Sequence, residues 1–243
     1  SVLTLSVLTS NLGIKIIPYC ILLFLFLTWI STIFVKKTKD ILKKDATSLL
    51  STVLKPAVLG ILLSCFLMQL SHGPFYAFFA IYLTENSYST NAIGIIWSLG
   101  VIAEILIFMK ISSWIPKYGL KNLFVISFLF AVFRWLLISL FPQNLAIVIL
   151  ATLFHAITYG MYHAVSISLI HEYFTGILQG RGQALYSSVS FGLGGSLGSF
   201  YSGYLWEQVG GSTVFLYAGL FAFLGFIVSF ILVKSRNKSY IKS

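Results

Sequence analysis

Four ionisable side chains lie in apolar runs where charge is expensive: His72, Glu104, Arg134 and His155. Glu104 sits in the run 91–111 and Arg134 in the run 122–141; of the 6 Asp and Glu residues, Glu104 alone falls inside such a run. At bilayer depth an ionised group costs roughly 2.5–3.5 kcal/mol on insertion scales, so it faces a partner or a water-filled cavity. Counting 1.5 Å per residue along each run puts Glu104 about 20 Å, His72 about 16 Å, His155 about 15 Å and Arg134 about 10 Å from one face. These depths bring all four within reach of one layer. A carboxyl in apolar surroundings keeps its proton, and a guanidinium brought close releases it. A movable arginine beside a glutamate is therefore a proton switch, and proton coupling is the chemistry this set can perform. The plainer alternative is a structural salt bridge between Glu104 and Arg134. His163, nearer the basic side, competes with His155 for the histidine's role.

The elements that must position these groups are membrane-spanning helices. The chain is 58% hydrophobic and 9% charged, against about 25% charged in soluble domains. Runs of 18 or more apolar residues recur along it and predict seven spans: 16–35, 56–83, 91–111, 122–141, 145–170, 182–206 and 212–233. The predicted fold is all-α, a polytopic transmembrane helical bundle. The second span is long, and Gly73-Pro74 in its middle predicts a bend.

The second to sixth spans carry polar stripes. Gln69, His72 and Tyr76 share one face of the second; Trp97, Gly100 and Glu104 line up in the third. His155, Thr158, Tyr159, Tyr162 and Ser166 form a long stripe in the fifth. Arg134 is suited to gripping a carboxylate, and Tyr76, Trp97 and Tyr159 to holding a ring. Gln69, His72 and the tyrosines would equally serve a sugar or a nucleoside. In the sixth span Gly194/Gly198 and Ser199/Gly203 have the spacing that lets helices approach closely.

Fourteen of the 16 basic residues fall in 36–55, 110–121, 171–181 and the tail, all on one side of the predicted spans. That side is predicted to be cytoplasmic, with the C-terminus inside and the first residue outside. The net charge of +10 thus reports topology, and no nucleic-acid partner is expected. Cys20 and Cys65 lie in apolar runs and read as free thiols; no metal or cofactor is implied. No metalloprotease motif, phosphate-binding glycine loop or nucleophile elbow occurs, so an enzyme is not expected. A retinal protein needs a lysine in the last span, and 212–233 has none. A seven-helix receptor is the alternative from another class.

Two stretches resemble a known family. They are Gln69-Leu70-Ser71-His72-Gly73-Pro74-Phe75-Tyr76, continuing to Phe78-Phe79 and Tyr82, and Gly180-Arg181-Gly182-Gln183-Ala184-Leu185-Tyr186, continuing through Phe191 to Gly198. Both resemble the 3-phenylpropionic acid transporter group of the major facilitator superfamily, which is similar to the oligosaccharide–proton and nucleoside–proton symporters. The resemblance covers essentially the whole chain and implies helices six to twelve of a twelve-helix fold. It divides the chain into the end of an N-terminal bundle (1–35), a cytoplasmic inter-bundle loop (36–55), a C-terminal six-helix bundle (56–233) and a cytoplasmic tail (234–243). It implies proton-coupled symport of a small aromatic carboxylate in the inner membrane, with the missing N-terminal helices as partner and no transport by this stretch alone. Related symporters place a glutamate, an arginine and a histidine on their eighth, ninth and tenth helices, matched here by Glu104, Arg134 and either His155 or His163. One departure is Pro116-Lys117-Tyr118-Gly119, which has proline where the superfamily's loop motif has aspartate.

Overall fold

A computed structural model of the chain describes residues 15–34 and 48–235. Contacts divide the chain into Ser1–Leu42 and Lys43–Ser243, and each unit is described by itself. The first contains α1 (Ile16–Ile33), an apolar helix with no buried side chain. Most of the Lys-rich 36–55 stretch and the tail from 236 onward lie outside the described residues.

In the second unit the described residues form helices α2 (Leu49–Val53), α3 (Pro56–Glu85), α4 (Thr90–Tyr118), α5 (Leu120–Leu140), α6 (Leu145–Leu153), α7 (Tyr162–Tyr173), α8 (Gln179–Ser187) and α9 (Ser196–Leu232). A π-helical turn, Ala156–Met161, joins α6 to α7, and a second π-helical segment, Ser188–Gly195, joins α8 to α9. Local chemistry sets the starts. Pro56 occupies the first turn of α3, where its missing N–H is no loss. The Ser89 hydroxyl accepts from the Ala92 N–H at 3.3 Å, and Asn144 Oδ1 from the Ile147 N–H at 3.2 Å.

The helical stretch Gly176–Leu232 is 57 residues long, about 85 Å at 1.5 Å per residue and nearly three hydrocarbon thicknesses. It is a hairpin. Gly210 has φ 78°, outside the helical region, and glycine alone takes that conformation without strain. Before the break, Gly194, Gly198 and Gly203 face Phe66, Leu70 and Phe78, so the chain runs parallel to α3. After it, Gly211 faces Tyr82 and Leu232 faces Gly60, so the chain runs back. The structure thus contains the seven predicted spans, and the protein is a multi-pass membrane protein of helical-bundle fold.

One boundary differs from expectation. α4 runs on to Tyr118 rather than stopping at 111, and the turn shrinks to Gly119 at φ 76°. Long lysine stems let Lys110 and Lys117 ride on a helix and still reach water. α3 is unbroken through Pro74. Pro74 has no N–H for the Leu70 carbonyl, and that oxygen faces Gly198, where a Cβ would lie only 2.7 Å away. A close seam of backbone against backbone thus packs at the Gly73-Pro74 weak point. At Gly194 a Cβ would lie 2.6 Å from the Phe66 carbonyl oxygen, the close approach that small residues permit.

Candidate functional site: a buried arginine between two histidines

Arg134 projects from the middle of α5 into the core and is fully buried. Its Nη1 lies 3.2 Å from His72 Nε2, 3.1 Å from His155 Nδ1 and 3.1 Å from Thr158 Oγ1. His72 Nδ1 is 2.8 Å from the Met68 carbonyl oxygen, which can only accept, so that nitrogen carries the hydrogen. His72 Nε2 is then free to accept from Arg134. By the same reasoning His155 Nδ1 accepts from Arg134 and its Nε2 carries the hydrogen. That Nε2 stands 3.8 Å from Glu104 Oε2, within electrostatic reach but beyond hydrogen-bond length.

The plainer alternative, a direct salt bridge between Glu104 and Arg134, is not formed. His155 stands between them. The guanidinium lies instead in the corner formed by two rings whose centres are 5.9 Å apart, 4.1 Å from the centre of Phe75 and 4.3 Å from that of Trp135. Their π faces attract the cation where water cannot. Arg134 Nε and Nη2 have no hydrogen-bond partner among the described residues. A buried charge with unpaired donors is costly, and such groups cluster at working sites.

The backbone supplies the room. The π-helical turn Ala156–Met161 follows His155 directly and carries Thr158 and Tyr159; such turns shift side chains off the regular helical register. Gly160 within it is the seat of Glu104, where a Cβ would lie 3.0 Å from the Glu104 Cγ. His155, Tyr159 and His163 stack along one face, with ring centres 5.1 and 6.0 Å apart.

The candidate substrate residues divide. Gln69, Tyr76 and Tyr159 line an open cleft of about 420 Å³ together with Phe191, Ser196 and Ser199 from the second π-helical segment and the start of α9. Gln69 is buried, and its Nε2 has no partner among the described residues. His72 sits behind Tyr76, ring centres 6.1 Å apart, and Arg134 lies behind His72 and does not line the cleft. Trp97 packs tilted against Phe75, ring centres 4.6 Å apart, and so supports a ring beside the arginine rather than the cleft wall. His163 is apart from the Arg134 cluster and bonds the Tyr186 hydroxyl at 2.9 Å. Sequence reasoning had not assigned Phe75, Trp135, Phe191, Ser196 or Ser199. The neighbours Arg134-Trp135 and the i, i+3 pair His72 and Phe75 were the available signals for the two rings against the guanidinium.

The MFS_1 like family model matches residues 1–217. The chain belongs to this family, within the major facilitator superfamily. A protein of Escherichia coli (strain K12) named "Probable 3-phenylpropionic acid transporter" is 30% identical over 148 residues, 59% of this chain and 38% of its own length. "Uncharacterized transporter YwbF" of Bacillus subtilis (strain 168) is 24% identical over 205 residues, 84% of this chain and 50% of its own length. Both are named as transporters, not enzymes. The chain spans half or less of the length of these relatives.

Proposed function

We propose that this chain is part of a secondary active transporter that couples uptake of a small organic solute to protons. The observation that carries the reading is the His155 imidazole between the Arg134 guanidinium and the Glu104 carboxylate. An ionised Glu104 favours a charged His155, which repels Arg134 and can no longer accept its hydrogen bond. A protonated Glu104 leaves His155 neutral and able to hold Arg134, the arrangement described above. Proton arrival at Glu104 is thereby tied to the position of the arginine, and through His72 to the cleft.

The name of the Escherichia coli relative supports an aromatic carboxylate such as 3-phenylpropionate as the solute. Tyr76, Tyr159 and Phe191 offer ring faces to it, and the free Gln69 Nε2 offers a donor to a carboxylate oxygen. A second reading, a sugar or nucleoside, is favoured by the cleft lining, which contains Gln69, two tyrosines and two serines but no charged side chain. The orientation proposed places the Lys-rich ends at the cytoplasmic side of the inner membrane. A reporter fused at Asn86 should then be outside and one fused after Lys234 inside; the reverse result would overturn the assignment.

The test of coupling is Glu104→Gln in the whole transporter. It keeps the hydrogen-bonding shape and removes the titration. Accumulation against a gradient should collapse, while exchange of solute across the membrane persists. Solute-driven proton uptake at the wild-type ratio in vesicles of this variant would sink the proposal.

A further inference from the structure

On the opposite side of the π-helical turn from the cleft lies an apolar pocket of about 280 Å³, lined by Trp114, Tyr118, Leu123, Ile126, Ile157 and Met161. We propose that this pocket is a binding site for an anionic phospholipid, an acyl chain filling it and the phosphate held by Lys110 and Lys117.

Three observations carry the assignment. The first is the chemistry of the rim. Lys110, Trp114, Lys117 and Tyr118 fall at i, i+4, i+7 and i+8 on α4 and so share a face. Lys117 Nζ lies over the Tyr118 ring, 5.0 Å from its centre, so a cation stands on the pocket's own wall. Among the described residues no salt bridge joins Lys110 or Lys117 to an acid. The two lysines lie about 10.5 Å apart along the helix, and their long stems can bring both ammonium groups to one phosphate near Trp114.

The second is continuity with an outward apolar face. Ile126 of the pocket belongs to a stripe on α5 with Leu129 and Phe133, at i, i+3 and i+7, and all three are exposed. The pocket opens onto a surface that an acyl chain can follow. Basic pockets between spans, rimmed by interfacial aromatics, suit anionic headgroups.

The third is the floor. Ile157 and Met161 come from the π-helical turn, whose widened backbone sets them apart from the regular helix beneath them. The same turn carries Thr158, a partner of Arg134. A lipid seated here would press on the segment that holds the buried arginine.

The test uses the whole transporter in nanodiscs with photoactivatable phosphatidylglycerol or phosphatidylcholine, their diazirine on the acyl chain. The peptide holding Trp114 and Tyr118 should be labelled by phosphatidylglycerol at least about tenfold more than by phosphatidylcholine, given two lysines near the headgroup. Lys110→Gln with Lys117→Gln should erase that preference without abolishing labelling, and Ile126→Trp, which fills the pocket, should abolish labelling by both lipids. Equal labelling of the wild type by the two lipids would overturn the role of the lysines. Labelling by neither lipid would overturn the proposal and mean that protein covers the pocket.

Discussion

Two polar layers lie about two helical turns apart in the same core, both sealed from water and opposite in their internal accounts. The first is Arg134 with His72, His155 and Thr158. The second is Tyr162 with Cys65, Ser166 and Ser190, all fully buried. The Tyr162 hydroxyl and the Ser190 hydroxyl each donate to the Cys65 carbonyl at 3.3 Å, Ser166 donates to the Tyr162 carbonyl at 2.7 Å, and the Cys65 thiol reaches Ser166 Oγ at 3.7 Å. The second layer is uncharged, and each of its polar side chains has a partner. The first holds a full charge with two nitrogens unpaired. A closed neutral layer rigidifies a core, whereas a charged layer with loose ends is ready to change partners. The difference teaches where motion should begin.

The largest expected effect separates function from folding. Arg134→Met keeps much of the volume and removes the charge. Coupled uptake should fall below about one hundredth of wild type, a loss of roughly 2.7 kcal/mol. Stability should change far less. The variant is relieved of a desolvated charge with unpaired donors, which offsets the cost of about 1–3 kcal/mol for acceptors left without a donor. Uptake by vesicles and melting in detergent, measured on the same preparation, check this. A melting loss as severe as the transport loss would make Arg134 a structural residue.

Tyr162→Phe reverses the pattern. It removes one hydrogen bond from the closed layer and should lower stability by about 0.5–1.5 kcal/mol, with uptake close to normal in the folded fraction. A fall in uptake per folded molecule comparable to that of Arg134→Met would erase the distinction between the layers.

Composition and hydropathy made the seven spans legible, because backbone groups in lipid must be satisfied within helices. The four ionisable residues were legible for the same reason: a charge in an apolar run stands out. Their partners were not. Sequence depth placed Glu104 and Arg134 in one layer but carried no azimuth, so nothing told that His155 would stand between them. The rings of Phe75 and Trp135 that flank the guanidinium looked like ordinary apolar residues. The two π-helical segments were invisible, since one extra residue per turn leaves no mark on an apolar pattern. Without them the helical stripe misjudges which of Thr158, Tyr159 and Tyr162 face Arg134. The gap between the apolar runs 182–206 and 212–233 foretold a turn, but only Gly210 within 207–211 leaves the helical conformation.

The smallest effect sharpens the comparison most, because it asks whether the closed layer acts as a unit. The Tyr162 and Ser190 hydroxyls serve one acceptor, the Cys65 carbonyl, and lie 3.5 Å from each other. When either is removed the other still serves that oxygen. Ser190→Ala alone should therefore cost no more than about 0.5 kcal/mol, at the low end for a net hydrogen bond. With Tyr162→Phe already present, the carbonyl loses its last side-chain donor. The double variant should then exceed the sum of the singles by about 0.5 kcal/mol, at the lower bound for coupled neighbours. A double-mutant cycle on denaturation in mild detergent reads that excess. Strict additivity would mean that the two hydroxyls act independently and that the layer is a set of separate bonds rather than a lock. The contrast with the Arg134 cluster would then rest on charge alone.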